Sequence, residues 1–459
     1  MVSGLQAPIP KRHEADVPAG LNIPGLVSLL NGPVMCAVIN SAMPGGGRVF
    51  ASCTIVNLRI KTPNACLISY RLEPTAAPGA MVYAYARAFD AQSFHEAASK
   101  LGDTRWVDSE TGVSTLVLED QCAILYFYPN DERLHGLRRL SVAKKLQRLF
   151  YAHLPEYPPD AWRVSDRSIR HQLLRYKPER RAVLRCRFRA HRDSDNHREE
   201  RFIFISVFEE GRDADVWKTA TGLHELTGSA DWTVPAPLAH IPEHSAVLVD
   251  SLDGDSLKSV VEGAGKAGDL EPHLSRVARA LAGMHHLQPR WLPVITPASR
   301  LSVIKEIVDR ISWLTPELSL QAQECQVRLA AHLRECPVYE PSFVHGDLHP
   351  GQILLGPQRC GFVDFDRAHL GDPTLDLAMF LAQLVQASRL RHASAMTEVA
   401  DRWLEEYRSA SSRSVPDSNL ETWKAYSLLQ SSLRPLGRFE PGWRARIRRA
   451  LDGVLDCLQ

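Results

Sequence analysis

The stretch Phe343-Val344-His345-Gly346-Asp347-Leu348-His349-Pro350-Gly351-Gln352-Ile353-Leu354-Leu355, followed by Cys360-Gly361-Phe362-Val363-Asp364-Phe365-Asp366, constrains this chain more than any other. Two short apolar runs enclose a polar loop, and the next apolar run ends in an acidic turn. Pro350 and Gly351 exclude regular helix from the middle, so Asp347, His349 and Gln352 are expected on a loop held between strands. Asp364 and Gln352 can offer oxygens to a hard cation such as Mg²⁺, which takes few protein ligands and leaves the rest of its shell to water and phosphate. Asp347 is then free to accept a hydroxyl proton, or to orient that hydroxyl for in-line attack on a γ-phosphate.

The rest of the chain is ordinary enough to carry such a site. At 459 residues, and about 100–200 residues per domain, it should fold as two to four units. Hydrophobic residues make up 44% and charged residues 23%, values that argue against a disordered, collagen-like or disulfide-scaffold protein. Lys and Arg (54) nearly cancel Asp and Glu (53), for a net charge of +1. No overall basic field exists for nucleic acid or an anionic membrane, so any anion site must be local. Nine cysteines stand singly without a CxxC pair, which fits a reducing cytoplasm. Leu26 to Ala42 is the most apolar early stretch, but Asn31, Gly32, Pro33 and Asn40 break it. Neither a signal peptide nor a membrane crossing is expected.

An internal echo organises the N-terminal half. Asn57-Leu58-Arg59-Ile60-Lys61 through Cys66-Leu67-Ile68-Ser69-Tyr70-Arg71 matches Leu173-Leu174-Arg175-Tyr176-Lys177 through Ala182-Val183-Leu184-Arg185-Cys186-Arg187 at a constant offset of 116. Both copies read as hairpins. Each is followed by a strand, Met81 to Phe89 or Phe202 to Phe208, and by a helix, Ala91 to Leu101 or Asp213 to Leu226. The pattern reads either as a duplicated lobe or as two hairpins alike by chance. Leu134 to His153 is expected as a solvated amphipathic helix between the copies. Ala246 to Val249 reads as a buried strand ended by a turn. Helices are expected over His273–His285, Leu301–Trp313 and Gln321–Leu333, and from residue 370 to the end, including Trp443 to Leu455.

The loop and the acidic turn together resemble the aminoglycoside phosphotransferase and choline kinase family, small-molecule relatives of the protein kinases, in which H-G-D-x-H-x-x-N precedes D-[FW]-[DE]. Gly371-Asp372-Pro373 and Leu375-Asp376-Leu377-Ala378 are similar to that family's G-D-P and D-L-A segments. The resemblance implies Asp347 as catalytic base, Gln352 and Asp364 as metal ligands, and His345 as an organiser of the loop. It leaves His349 between substrate contact and a hydrogen bond to the backbone, and Asp366 between metal binding and fixing the turn. Asp372 and Asp376 are expected to cap or brace the following helix. Gln352 stands where most of the family has Asn; it keeps the amide oxygen but adds a methylene, so the loop must shift to present it. The H-G-D-x-H-x-G-Q form is also similar to the loop of maltokinases, which are active. Gly346 instead of Arg between His345 and Asp347 separates the chain from protein kinases.

The nucleotide end departs further. In kinase-like folds a lysine on the third strand of the small lobe pairs the nucleotide's phosphates; Phe202–Phe208 has none, and Ser206 stands at the expected place. The turn Lys177-Pro178-Glu179-Arg180-Arg181 replaces the glycine-rich loop. Lys177, Arg180 and Arg181 either grip phosphate oxygens, Arg through paired N–H donors, or form a solvated turn. Adenine is expected against the backbone near Val249 to Leu252, where a hinge would join the lobes. Gly45-Gly46-Gly47-Arg48 lacks the Walker spacing and is expected to be a flexible turn.

These readings predict an α+β, protein-kinase-like two-lobed fold with a mainly helical C-terminal lobe and an additional N-terminal α+β lobe. The expected boundaries are a flexible tail at 1–20, the additional lobe at 21–155, a nucleotide-binding small lobe at 156–250 and a helical catalytic lobe at 251–459. The resemblance implies ATP- and Mg²⁺-dependent transfer of the γ-phosphoryl group to a hydroxyl of a small molecule: a sugar, an amino alcohol or an aminoglycoside-like metabolite. The alternative is a pseudokinase with a nucleotide-binding or regulatory role, favoured by the missing strand lysine and opposed by the intact Asp347 and Asp364. No nucleic-acid or membrane partner is expected, the expected compartment is cytoplasmic, and the oligomeric state is open.

Overall fold

The structure is a computed structural model describing residues 17–45, 47–101, 113–228, 230–336, 340–387 and 393–459. Most of the expected tail, residues 1–16, and Gly46 of the glycine turn lie outside the described residues. The chain forms two compact units. The first takes the described residues of Met1–Asp131 together with Ile307–Glu324 and Ser431–Asp452; the second takes Glu132–Glu306, Cys325–Gln430 and Gly453–Gln459.

In the first unit, α1 (Leu26–Leu29) and α2 (Gly32–Ala42) precede β1 (Phe50–Thr62), β2 (Ala65–Pro74) and β3 (Val82–Phe89), then α3 (Ala91–Ser99), β4 (Thr115–Leu118) and β5 (Ala123–Phe127). Asn31 starts α2 by accepting the Val34 N–H, with Pro33 in the first turn where its missing N–H breaks no helical bond. The antiparallel sheet has the order β1-β2-β3-β5-β4. Its core holds stacked Phe50 and Phe127, and Tyr70, whose hydroxyl donates to the Leu29 carbonyl at 2.8 Å.

In the second unit, α4 (Leu137–Leu140) and α5 (Ala143–His153) replace the single helix expected over Leu134–His153. The break falls at Ser141, whose hydroxyl turns back to donate to the Leu137 carbonyl at 2.8 Å. Then come β6 (Trp162–Val164), β7 (Arg170–Lys177), β8 (Arg181–Arg192), β9 (His197–Phe208), α6 (Arg212–Thr227), β10 (Trp232–Thr233), β11 (Pro237–Ile241) and β12 (Ala246–Asp250). The path β7-β8-β9-β12-β11 repeats the strand order of the first unit, and β6 pairs with the far half of β8. Both echoed hairpins are present. Each sheet also gains a second hairpin that the sequence analysis did not mark as a pair, β4–β5 or β11–β12. Both are closed by a 3₁₀ turn and a left-handed residue, Cys122 (φ 46°) or Ser245 (φ 45°).

The helical part of the chain starts with β13 (Asp255–Ser256), α7 (Leu257–Gly263) and α8 (Glu271–Met284), and continues through α9 (Arg300–Leu314) and α10 (Ser319–Glu335). Four three-residue strands follow, β14 (Ser342–Val344), β15 (Ile353–Leu355), β16 (Cys360–Phe362) and β17 (His369–Gly371). The chain ends in α11 (Thr374–Ala387), α12 (Ala393–Ser411), α13 (Asp417–Ser431), α14 (Arg434–Gly437) and α15 (Trp443–Asp456). Helix α8 buries Leu274, Val277, Ala278 and Leu281, residues three or four apart on one face, and packs on α12. All nine cysteines are free thiols. Among the described residues no helix is long and apolar enough to cross a membrane.

Candidate active site

The polar loop leaves β14 where Val344 pairs with His369 of β17. Its first two N–H groups, of His345 and Gly346, donate to the two carboxylate oxygens of Asp376 at 2.6 and 2.9 Å. Asp376 is fully buried in the first turn of α11 and faces His285 Nε2 at 3.2 Å; His285 Nδ1 lies 2.8 Å from the Tyr407 hydroxyl. Burial alone would raise the Asp376 carboxyl, but His285, His345 and the Gly346 N–H hold it below its ordinary value. For His285 it is burial itself that keeps the ring below the usual histidine range. Asp376 therefore braces the loop, whereas the sequence analysis expected it to brace a helix. Asp372 does cap α11, accepting from the Thr374 N–H at 2.9 Å, and also takes the Trp423 indole N–H at 2.7 Å.

Gly346 has φ +78°, and a Cβ there would stand 2.5 Å from the Arg367 carbonyl oxygen, so the loop requires glycine. His345 Nε2–H donates to the Val363 carbonyl at 3.0 Å, and its ring packs on Phe365 at 4.8 Å. It thus ties the loop to the acidic turn. His349 takes the backbone alternative, with Nδ1 accepting the Gly351 N–H at 3.0 Å. Pro350–Gln352 form one 3₁₀ turn, and Asp347 is half-buried before it.

The acidic turn gathers the charges. Asp364 is left-handed (φ 70°), a conformation rare outside glycine and enriched at functional sites. Arg181 Nη1 lies 2.5 Å from both Asp364 Oδ1 and Asp366 Oδ2, Arg175 Nη1 lies 3.0 Å from Asp364 Oδ2, and the Gln352 amide donates to the same oxygen at 2.9 Å. Burial pushes both carboxyls up. For Asp364, the charge and hydrogen bond of Arg181, with Gln352 and Arg175, win and hold it well below the usual range. For Asp366, burial and the neighbouring Asp364 win over Arg181, and its carboxyl is raised.

The cationic turn is unevenly engaged. The Arg180 N–H donates to the Lys177 carbonyl at 3.0 Å, with Pro178 second and Glu179 (φ 60°) third, the residue order of a type II turn. Arg180 is exposed there. Desolvation and the like charge of Arg175 lower the Lys177 ammonium, against the pull of Asp364. Arg181 sits over the Phe208 ring at 5.3 Å and donates weakly to Ser206 Oγ at 3.4 Å. Val249 pairs with Phe204 and Pro237, leaving Leu252 just beyond the strand, where it lies against Gly361.

The donor set fits a hard divalent cation. A cationic nitrogen already lies between the Asp364 and Asp366 oxygens. The Gln352 side chain touches Asp364, and turning its amide over would present oxygen in place of N–H. Among the described residues no three His, Cys, Asp or Glu side chains form a group that could hold a metal ion.

The sequence analysis missed Arg175, Arg212 and the bracing by His285 and Asp376. Arg212 of α6 donates to the Asp366 carbonyl at 2.6 Å. Arg175 had a signal: it shares a strand face with Lys177, whose hairpin partner is Arg181.

No curated protein matches the sequence. Solved structures of similar fold include a choline kinase from Cryptosporidium parvum Iowa II (12% identity, 68% of this chain and 95% of that chain, TM-score 0.48). A macrolide 2'-phosphotransferase from Brachybacterium faecium gives 17% identity, 67% and 97% coverage and TM-score 0.43. An aminoglycoside phosphotransferase from Streptomyces rimosus gives 18%, 56% and 89%, and 0.39. The family model described as the APH phosphotransferase enzyme family matches residues 180–429, more than half of the chain and all of the loop and acidic turn, and the chain belongs to that family.

Proposed function

We propose that this chain transfers the γ-phosphoryl group of ATP to a hydroxyl of a small molecule. The observation that carries the reading is the meeting of Asp364, Gln352 and Arg181 at one point, beside a loop that Asp376 and His345 lock in place. Asp364 and Gln352, with Asp366, would hold Mg²⁺, which supplies charge neutralisation on the phosphates when bound. Arg181, helped by Lys177 and Arg180, would meet the phosphate oxygens through its planar fork of donors. Asp347 takes the acceptor's proton or orients its hydroxyl, and the backbone from Val249 to Leu252 receives the adenine. The free thiols agree with a cytoplasmic protein.

The test is phosphate transfer from ATP with Mg²⁺ to a broad panel of hydroxyl compounds. The Asp347→Asn chain should lose about 10²–10⁴-fold in rate while still binding ATP. Equal transfer by both proteins would refute the role of Asp347. One observation favours a pseudokinase: Arg181 already pairs with both carboxylates of the turn. Tight ATP binding that is indifferent to Mg²⁺, with no transfer to any acceptor, would establish that reading instead.

A further inference from the structure

A cavity of about 710 Å³ lies in the second unit between α6, the start of α9, the end of α13 and the turn Phe365–His369, and Gly346 of the polar loop lines it. Four cationic residues line it, Arg212, Lys218, Arg300 and Arg367, against two acidic ones, Asp215 and Asp366. Asp366 is already engaged by Arg181. A concave surface lined mainly by one sign of charge concentrates ions of the other sign.

Arg300 is held in one orientation. His369 Nδ1–H donates to the Arg367 carbonyl at 2.8 Å, which leaves Nε2 to accept from Arg300 Nη2 at 2.8 Å. The guanidinium also lies over the Tyr426 ring at 5.5 Å. Its Nε–H is nevertheless buried without a hydrogen-bond partner, and so is the indole N–H of Trp291, another residue of the cavity wall. The indole packs on α6 at Gly222, where a Cβ would come within 2.4 Å of it. Both unsatisfied groups are donors with no capacity to accept. Any group that comes within reach of either must be an acceptor.

We propose that this cavity binds the acidic group of a small organic anion, a phosphate or a carboxylate, and that the hydroxyl acceptor is therefore phosphorylated or carboxylated rather than an amine. The acceptor assignment rests on the phosphotransferase reading; the anion site does not. The cavity wall includes Gly346, the residue before Asp347, so an anion held there lies close along the chain to the expected base.

Calorimetric titration of the full chain without nucleotide tests it, using four hexose compounds that differ in charge: glucose 6-phosphate, gluconate, glucose and glucosamine. The two anions should bind at least about tenfold more tightly than the other two. Lys218→Gln and Arg367→Gln, both at exposed side chains, should each weaken the anions about tenfold and leave glucose unchanged. Equal binding of glucosamine, failure of both anions to saturate, or affinity lost in Arg181→Gln but kept in Lys218→Gln would overturn the site. Anion binding without phosphoryl transfer to any hydroxyl compound would keep the site and overturn the acceptor assignment.

Discussion

Replacing Arg181 by Gln isolates the feature on which the site turns. In the wild-type chain one guanidinium nitrogen bridges two carboxylates at 2.5 Å, with side-chain exposures of 17% for Arg181, 14% for Asp364 and 28% for Asp366. Unit charges about 4 Å apart attract by about 4 kcal/mol at an effective dielectric constant near 20. Removing one partner of a buried pair typically costs about 3–5 kcal/mol, because the other charge stays desolvated. Two features reduce that figure: Arg175 remains on Asp364, and Asp366, whose carboxyl is already raised, can take up a proton. A loss of about 2–3 kcal/mol is therefore expected in urea unfolding at neutral pH without divalent ions. Adding Mg²⁺ should restore about 2.7 kcal/mol at a hundredfold excess over its dissociation constant, because the bare carboxylate pair then takes the ion. The same change should weaken ATP about tenfold by deleting a charge-assisted bond to phosphate. A variant as stable as wild type, indifferent to Mg²⁺ and unchanged toward ATP would refute the idea that Arg181 passes between carboxylates and phosphate.

Gly346→Ala should cost about 1–3 kcal/mol of stability and abolish transfer, since its Cβ meets the Arg367 carbonyl in a left-handed backbone; an active variant of wild-type unfolding midpoint would contradict this. Asp376→Asn should lose about 3 kcal/mol in denaturant unfolding by stripping the charge that holds His285 and two loop N–H groups. Stability should also fall on mild acidification. His285 has a lowered value in the folded chain, so its contribution is full above the unfolded value of about 6.5 and is lost as pH drops through the folded one. Unfolding free energies from pH 7 to 5 should show the decline, and His285→Gln should reduce it, leaving the share of His171 and His369, which burial also lowers.

The residues read most easily from the sequence were those whose chemistry demands a residue type at a fixed spacing. His345, Asp347, Gln352, Asp364 and Asp366 occupy one short loop and turn, and the strands that carry them are only three residues each. The hairpins were legible because the segments that form β1–β2 and β7–β8 echo each other at an offset of 116 and their strands run to 8–13 residues. The hairpins β4–β5 and β11–β12 were not, because β4 and β11 are four or five residues long and turn without glycine. What the sequence could not disclose were partners far apart in the chain. Asp376 lies 31 residues beyond the N–H of His345, and Arg181 lies 183 residues before Asp364. Neither pairing leaves a local pattern.

The missing strand lysine shows why a gap in a motif differs from a gap in a site. Ser206, at the expected lysine position on β9, pairs across the sheet with Val183 of β8, and Arg181 stands two residues earlier on that neighbouring strand. From there its guanidinium reaches both the Ser206 hydroxyl and the acidic turn. The strand lysine is absent, and a cation on the neighbouring strand reaches the acidic turn instead. The exchange of lysine for arginine is not neutral, because an ammonium is a compact point charge whereas a guanidinium is a planar fork that can span two carboxylates. The arginine here closes the acidic pair, and under the proposed function the same fork would offer donors to phosphate. Under the proposed function, Mg²⁺ would therefore have to compete with this side chain for Asp364 and Asp366.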